Sequence, residues 1–399
     1  MKNFKYIFYI IVLTATLGQF FSDLYIPSLS AISKSLKTTI SSTQLTITLY
    51  MLGYSISSLI YGPLSDTIGR RKPLLIGLSF CLVGSAVCSL APNISTLISG
   101  RLLQGLGGGV GISVTQAIIR DSTKGEDLSR FNSYLAIANV SVIISAPILG
   151  GFIQEYLYWK ANFHFLLIYS ILVGFLVFFF IPETKSIDRR TKFKIKQYSI
   201  NLLILLKSTQ FRCCQITLFS LYGCIMAWMT IGPILLLKYL HFTPGQFGLV
   251  CGLTGIAYSI GAFANGKLLP KFGIKNMLII SKFFLLASSV IMFALACMGL
   301  FNFFVIIMPL LFFFIGSGLM FPNIFAIALT PFGRIAGFAA SFIVASQIFG
   351  GFISSLIAAM SNDTTQFILS IILLLFSVII LISGRILLKC LKKSSVFNR

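Results

Sequence analysis

The sequence is poor in charge, and poorest in acid. Only 10% of its 399 residues are charged, and just nine are Asp or Glu. Water-soluble domains carry about 25% charged residues, so this chain cannot present a conventional hydrated surface. Histidine occurs twice, as His164 and His241. No H-E-x-x-H run exists, which excludes the commonest zinc-hydrolase signature. The eight cysteines form no C-x-x-C pair and nearly all sit in apolar runs. Free Cys there behaves as a small hydrophobe, so neither a disulfide framework nor a metal site is expected. The glycine-rich "GLGGGVG" at 105–111 lacks the G-K-[ST] ending of a nucleotide-binding loop and lies inside an apolar run. Small residues in such a run let helices approach closely. No site for ATP or another cofactor is visible.

What the chain does have is long hydrophobic runs. A bilayer-spanning helix needs about 20 predominantly apolar residues. Runs of that kind fall near 4–24, 45–61, 73–90, 96–118, 131–152, 163–181, 212–237, 247–268, 277–300, 303–328, 336–358 and 367–388. The first has a basic start, but it is longer than a signal-peptide core and no small-x-small cleavage site follows, so it reads as a first span. The fold class is therefore an all-α integral membrane protein with twelve transmembrane helices.

The net charge of +22 would suit a nucleic-acid binder, but its placement excludes that reading. With the N-terminus inside, 26 of the 31 Lys and Arg fall in cytoplasmic segments, and only Lys34, Lys37, Lys160 and Lys238 fall outside. That skew is the positive-inside signature and puts both termini in the cytoplasm. The most basic segment divides the chain into an N-terminal bundle (1–181), a linker (182–211) and a C-terminal bundle with a basic tail (212–399). Within the linker, residues 193–206 read either as an amphipathic helix on the anionic inner leaflet or as a solvated connector.

Two echoes point to a duplicated half. "GPLSDTIGRRKPLLIG" from Gly62 resembles "GKLLPKFGIKNMLIIS" from Gly266, and "GGFI" at Gly150 recurs at Gly350. The offsets are 204 and 200 residues, which implies two pseudo-symmetric six-helix bundles. Such repeats are typical of secondary transporters that bind cargo between their halves.

The motifs carry a family resemblance. Gly62, Leu64, Asp66, Gly69, Arg70, Arg71 and Lys72, between the second and third spans, resemble motif A of the major facilitator superfamily. Arg101, Gln104, Gly105 and Gly107 resemble its motif B. "SAPILGGFI", with Pro147, Gly150 and Gly151, resembles motif C, although Ala146 replaces the glycine expected before the proline. That A-P-x-x-G-G form, and "SDLYIPSLSAI" from Ser22, are similar to the bicyclomycin-resistance (Bcr/CflA) branch of drug:H+ antiporters. The resemblance implies alternating access, with motif A as a cytoplasmic gate in which Asp66 faces a helix N-terminus of the other half and Arg70 pairs with Asp121. It implies a bacterial inner-membrane protein, working as one chain, that exchanges protons for small, moderately hydrophobic compounds such as bicyclomycin-type antibiotics. Proton-coupled uptake of a metabolite is the runner-up, since one fold runs in both directions.

Eight of the nine acids lie in loops or at span ends; the exception is Asp23. An intramembrane acid usually faces a cavity or a partner. Asp23 stands 18 residues from Lys5 and Arg101 stands 20 from Asp121, so both lie about 27–30 Å above the inner face at the helical rise. They form the expected proton-coupling pair, with Arg101 tuning Asp23; the bland alternative is that Asp23 caps a helix end at the outer interface. Gln19, Tyr54, Trp228 and Asn323 are candidates for lining the substrate cavity. An intramembrane enzyme or a scaffold explains none of this set.

Overall fold

The computed structural model describes residues 2–123, 125–185, 195–361 and 365–393, and among them all regular structure is helical. The helices are α1 (Lys2–Asp23), α2 (Leu29–Ser35), α3 (Ile40–Ile68), α4 (Arg71–Leu90), α5 (Ile94–Ser122), α6 (Gly125–Tyr156) and α7 (Trp159–Phe180). The chain continues through α8 (Ile195–Lys207), α9 (Thr209–Pro233), α10 (Pro244–Cys297), α11 (Phe303–Leu329), α12 (Ala336–Met360) and α13 (Gln366–Lys393). Eleven runs of helix are long and apolar enough to cross a membrane. One of them, α10, has 54 residues, about 81 Å at 1.5 Å per residue, far more than a hydrocarbon core of about 30 Å. It breaks at Gly273, whose φ of 71° and ψ of 161° are not helical. The break makes two spans of one run and gives the twelve that the sequence implies.

Short polar side chains start several helices. Thr39 accepts the Ser42 N–H ahead of α3, and Ser208 the Phe211 N–H ahead of α9. Asn93 accepts the Thr96 N–H at 2.9 Å ahead of α5, and Asn302 the Val305 N–H at 3.0 Å ahead of α11. Each such cap satisfies an orphan donor and contributes about 1 kcal/mol. Pro27 sits in the 3-10 turn Ile26–Ser28 that separates α1 from α2.

The chain forms two compact units, Met1–Lys194 with Thr243–Leu249, and Ile195–Phe242 with Val250–Arg399. Helix α8 thus belongs with the second unit, where Tyr198 meets Phe338 edge to face at 4.8 Å. Of the amphipathic linker segment, Phe193 and Lys194 lie outside the described residues; in α8 itself Leu203, Ile204 and Leu206 are exposed.

In the first unit α5 is central and packs against α1, α3 and α4. Its glycines make this possible. A Cβ on Gly105 would collide with the Tyr50 carbonyl of α3, and one on Gly107 with the Gly77 carbonyl and Cys81 of α4. In the second unit α9 packs against α11, α12 and α13.

Both sequence echoes have structural counterparts, each inside its own unit. Gly69 ends α3 with φ 95° and ψ 173°, and Gly273, 204 residues on, breaks α10 with nearly the same backbone. Both lie in the left-handed half of dihedral space, which glycine alone occupies without strain. Gly150 of α6 rests on the Leu24 carbonyl, and Gly350 of α12 on that of Phe219.

Candidate functional site

Two polar sites stand out in the first unit. The first surrounds the turn between α3 and α4. Arg70 is 2% exposed, yet it is fully engaged. Its Nε donates to Asp121 Oδ2 at 2.8 Å, and its Nη1 donates to Asp66 Oδ1 at 2.9 Å and to Ser65 Oγ at 2.7 Å. The Lys185 ammonium donates to the same Asp66 oxygen at 2.5 Å. Glu183 accepts the backbone N–H of Arg70 at 2.8 Å and that of Arg71 at 3.4 Å. A carboxylate on the first amides of α4 also opposes the positive end of that helix. Arg71 donates to the Phe178 carbonyl and lies over the Phe178 ring at 5.4 Å. Three carboxylates and three cations therefore join the α3–α4 turn to the ends of α5 and α7. Gly62 lies one turn before Asp66 on α3, and Gly69 supplies the turn.

Sequence reasoning had paired Arg70 with Asp121, and the structure brings those two side chains together. It missed Ser65, Glu183 and Lys185. Their only signal is a position straight after the sixth apolar run, or one turn before Arg70. Within this unit Asp66 forms ion pairs with Arg70 and Lys185.

The second site is buried. Asp23 is the last residue of α1 and is 0% exposed, so it is not a cap at an open interface. Gln19, one turn earlier, donates from Nε2 to Asp23 Oδ2 at 2.5 Å. Arg101, also 0% exposed, forms no ion pair among the described residues. The Arg101 Nη1 donates instead to the Phe21 carbonyl at 2.9 Å and to Gln104 Oε1 at 2.6 Å. Its guanidinium carbon sits 4.0 Å from the Tyr25 ring centroid and 4.3 Å from that of Tyr50. Two aromatic faces thus take the place of a carboxylate, and a desolvated cation–π contact contributes about 2 kcal/mol. The bond to Phe21 places a cation on the last turn of α1, where carbonyls lack helical donors.

The surrounding hydrogen bonds hold this arrangement. Gln104 donates onward to Ser85 at 2.9 Å. Tyr50 donates to the Gly18 carbonyl at 2.5 Å, and Tyr25 shares a 2.9 Å bond with Thr46. The motif B residues Arg101 and Gln104 are thus one polar stack, and Gly105 and Gly107 set the helix spacing around it. Among the motif C residues, Pro147 lies inside α6 and Gly150 seats the end of α1 at Leu24. Gly151 packs on the Pro244 carbonyl, within the stretch 243–249 that belongs to this unit. Glu155, unremarked in the sequence, accepts the Gly245 N–H at 2.8 Å and the Thr243 hydroxyl at 3.0 Å there.

The four cavity candidates behave differently. Gln19 is half-buried and bound to Asp23. Tyr54 is buried against Gly18, and Trp228 against Gly232. Asn323 exchanges hydrogen bonds with Asn265 at 2.7 and 3.3 Å. Tyr54, Trp228 and Asn323 are all buried in this structure.

Residues 10–355 match the Major Facilitator Superfamily. The chain is 29% identical over 375 residues to the uncharacterized MFS-type transporter YdgK of Bacillus subtilis, covering 93% of this chain and 92% of the relative. It is 26% identical to Multidrug resistance protein D of Escherichia coli, covering 93% of each. Identity to the Bicyclomycin resistance protein homolog of Haemophilus influenzae is also 26%, over 86% of each. Among solved structures, the D-xylose-proton symporter superposes with a TM-score of 0.74 at 15% identity, covering 94% of this chain and 96% of that one. The human organic anion transporter MFSD10 gives 0.68 at 15% identity, covering 95% and 98%. The chain belongs to the Major Facilitator Superfamily and is a transporter rather than an enzyme.

Proposed function

We propose that this transporter exports small, moderately hydrophobic compounds in exchange for protons across a bacterial inner membrane, with both termini cytoplasmic and one chain forming the pathway. The observation that carries the reading is Asp23: a fully buried carboxyl with no ion-pair partner among the described residues, hydrogen-bonded by Gln19 at the end of a membrane helix. Burying a charge without a partner is costly, so the charge state of such a group follows its access to water. A carboxyl of that kind can load a proton when the site opens to one side and release it when the site opens to the other. Gln19 holds one carboxylate oxygen. Arg101 acts as a positioning residue, because it bonds the α1 backbone two residues before Asp23 and not the carboxylate. Asp66, Arg70, Asp121 and their partners are the cytoplasmic latch in this scheme, and motif C steadies the outer end of α1. The curated relatives' names, multidrug and bicyclomycin resistance, favour drug-like cargo and outward transport.

The test is intracellular accumulation of a compound panel that includes bicyclomycin, in efflux-deficient bacteria expressing wild type or Asp23→Asn. Wild type lowers accumulation of at least one compound, and neither the variant nor cells with a collapsed proton gradient do so. Higher accumulation with wild type would turn the direction to uptake. Full export by Asp23→Asn at normal expression would remove Asp23 from proton coupling.

A further inference from the structure

Among the described residues, the second unit contains a largely buried lysine with no ion-pair partner. Lys282, nine residues past the break at Gly273, is 7% exposed. Among the described residues it makes no hydrogen bond and no ion pair. The sequence of the second unit contains a single acid, Asp363, which precedes α13. Lys282 packs near the other end of that helix. Its Nζ is not one of the enclosed polar atoms that lack a partner, so the stem is buried while the ammonium reaches the helix surface, where an anion can meet it.

The surroundings of Lys282 are built to receive one. The part of α10 after Gly273 runs antiparallel to α13. Phe293 meets Phe367, Ser289 shares a 2.8 Å hydrogen bond with Ser377, and two turns further on Lys282 meets Gly384. A Cβ on Gly384 would lie 2.8 Å from Lys282 Cδ and 3.4 Å from its Nζ. The missing side chain is what gives the lysine stem its berth. The next residue, Arg385, is exposed, so a second cation stands one position from the lysine's berth. One anion can meet both charges. Nine residues of helix put Lys282 about 13 Å from the Gly273 turn, and the basic residues on both sides of that turn make this the cytoplasmic end. The neighbouring surface is apolar, with Ile279, Phe283 and Ile386 exposed for acyl chains. Basic pockets between helices on the cytoplasmic side are suited to anionic headgroups.

We propose that Lys282 and Arg385, with Gly384 providing the gap, bind the phosphate of an anionic phospholipid where α10 and α13 pack together.

The experiment uses the purified full-length protein and counts retained lipid by native mass spectrometry. Phosphatidylglycerol and phosphatidylcholine are offered in equal amounts, with and without millimolar inorganic phosphate. Wild type retains phosphatidylglycerol preferentially. Removing one charge with Lys282→Met or Arg385→Gln weakens that preference about fivefold, and removing both weakens it about thirtyfold, at the strength ordinary for a basic residue near an anionic surface. Gly384→Val, which removes the berth but keeps both charges, lowers the preference as well and serves where Lys282→Met does not accumulate. Phosphatidylcholine retention stays level and reports an intact fold. An unchanged preference in the double variant overturns the proposal. Displacement of the lipid by inorganic phosphate overturns the lipid as the source of the anion and leaves a free-anion site.

Discussion

The two units share a backbone plan and differ in where they keep charge. Gly69 and Gly273 make the same turn, and Gly150 and Gly350 make the same close approach. Around those shared points the first unit places a network of ion pairs and a buried carboxyl. The second has Pro270 in the place of Asp66, a neutral Asn265–Asn323 pair and an uncompensated Lys282. Backbone geometry survives duplication because glycine contacts are steric and local. Charge is free to diverge because each ionisable group needs only its own partners. The proposed function puts proton coupling and gating in the first unit, and the proposed lipid site lies in the second.

The largest expected effect breaks this division directly. Asp23→Asn in proteoliposomes loses all proton-driven accumulation of cargo, while counterflow of the same cargo down its gradient persists. Asn323→Ala, in the second unit, leaves the proton dependence of transport intact and costs stability alone, about 1–3 kcal/mol for the amide left unpaired on Asn265. If the two variants lost coupling equally, the division of labour would not stand.

A second pair sharpens the shared part. Gly150→Val and Gly350→Val each drive side-chain atoms into a facing carbonyl, at Leu24 and Phe219 respectively. Each is expected to destabilise by about 1–3 kcal/mol or more, as overpacking does, and by similar amounts in thermal unfolding. A large inequality would mean that the repeated contact is not equivalent in the two units.

A smaller effect concerns the charged turn. A double-mutant cycle with Arg70→Gln and Asp121→Asn is expected to show a coupling energy of about 1–2 kcal/mol, within the range for groups in direct contact. Asp66→Asn coupled to Arg70→Gln gives less, because Asp66 is more exposed and shares Lys185. Smallest of all is Lys185→Ala, at about 0–1 kcal/mol, since partly exposed pairs contribute little.

Much of this was legible in the residues. Periodic apolar runs announced the spans, because nothing else in a chain with so few charges could cross a membrane or meet water. The echo at 204 residues marked Gly69 and Gly273 as equivalent, since an identical unusual backbone needs glycine twice. The Arg70–Asp121 contact followed from a motif whose charges sit at the ends of adjacent helices. Depth counting put Asp23 and Arg101 at one level, but it could not see that two tyrosine rings would occupy the place of a carboxylate. Glu183 and Lys185 escaped notice because a charged pair after an apolar run also reads as a topology signal.

The sequence alone determined the solvent, the number of spans, the duplication and the roster of ionisable groups. Each of these depends on composition or on spacing along one helix, where the rise per residue is constant. The tertiary structure decided which groups meet. It set Arg101 between two tyrosine rings, buried Tyr54, Trp228 and Asn323, and set Lys282 against Gly384. Those choices depend on the rotation of one helix against its neighbour. A turn of about 100° per residue exchanges a lipid-facing side chain for a buried one without changing anything that can be read along the chain.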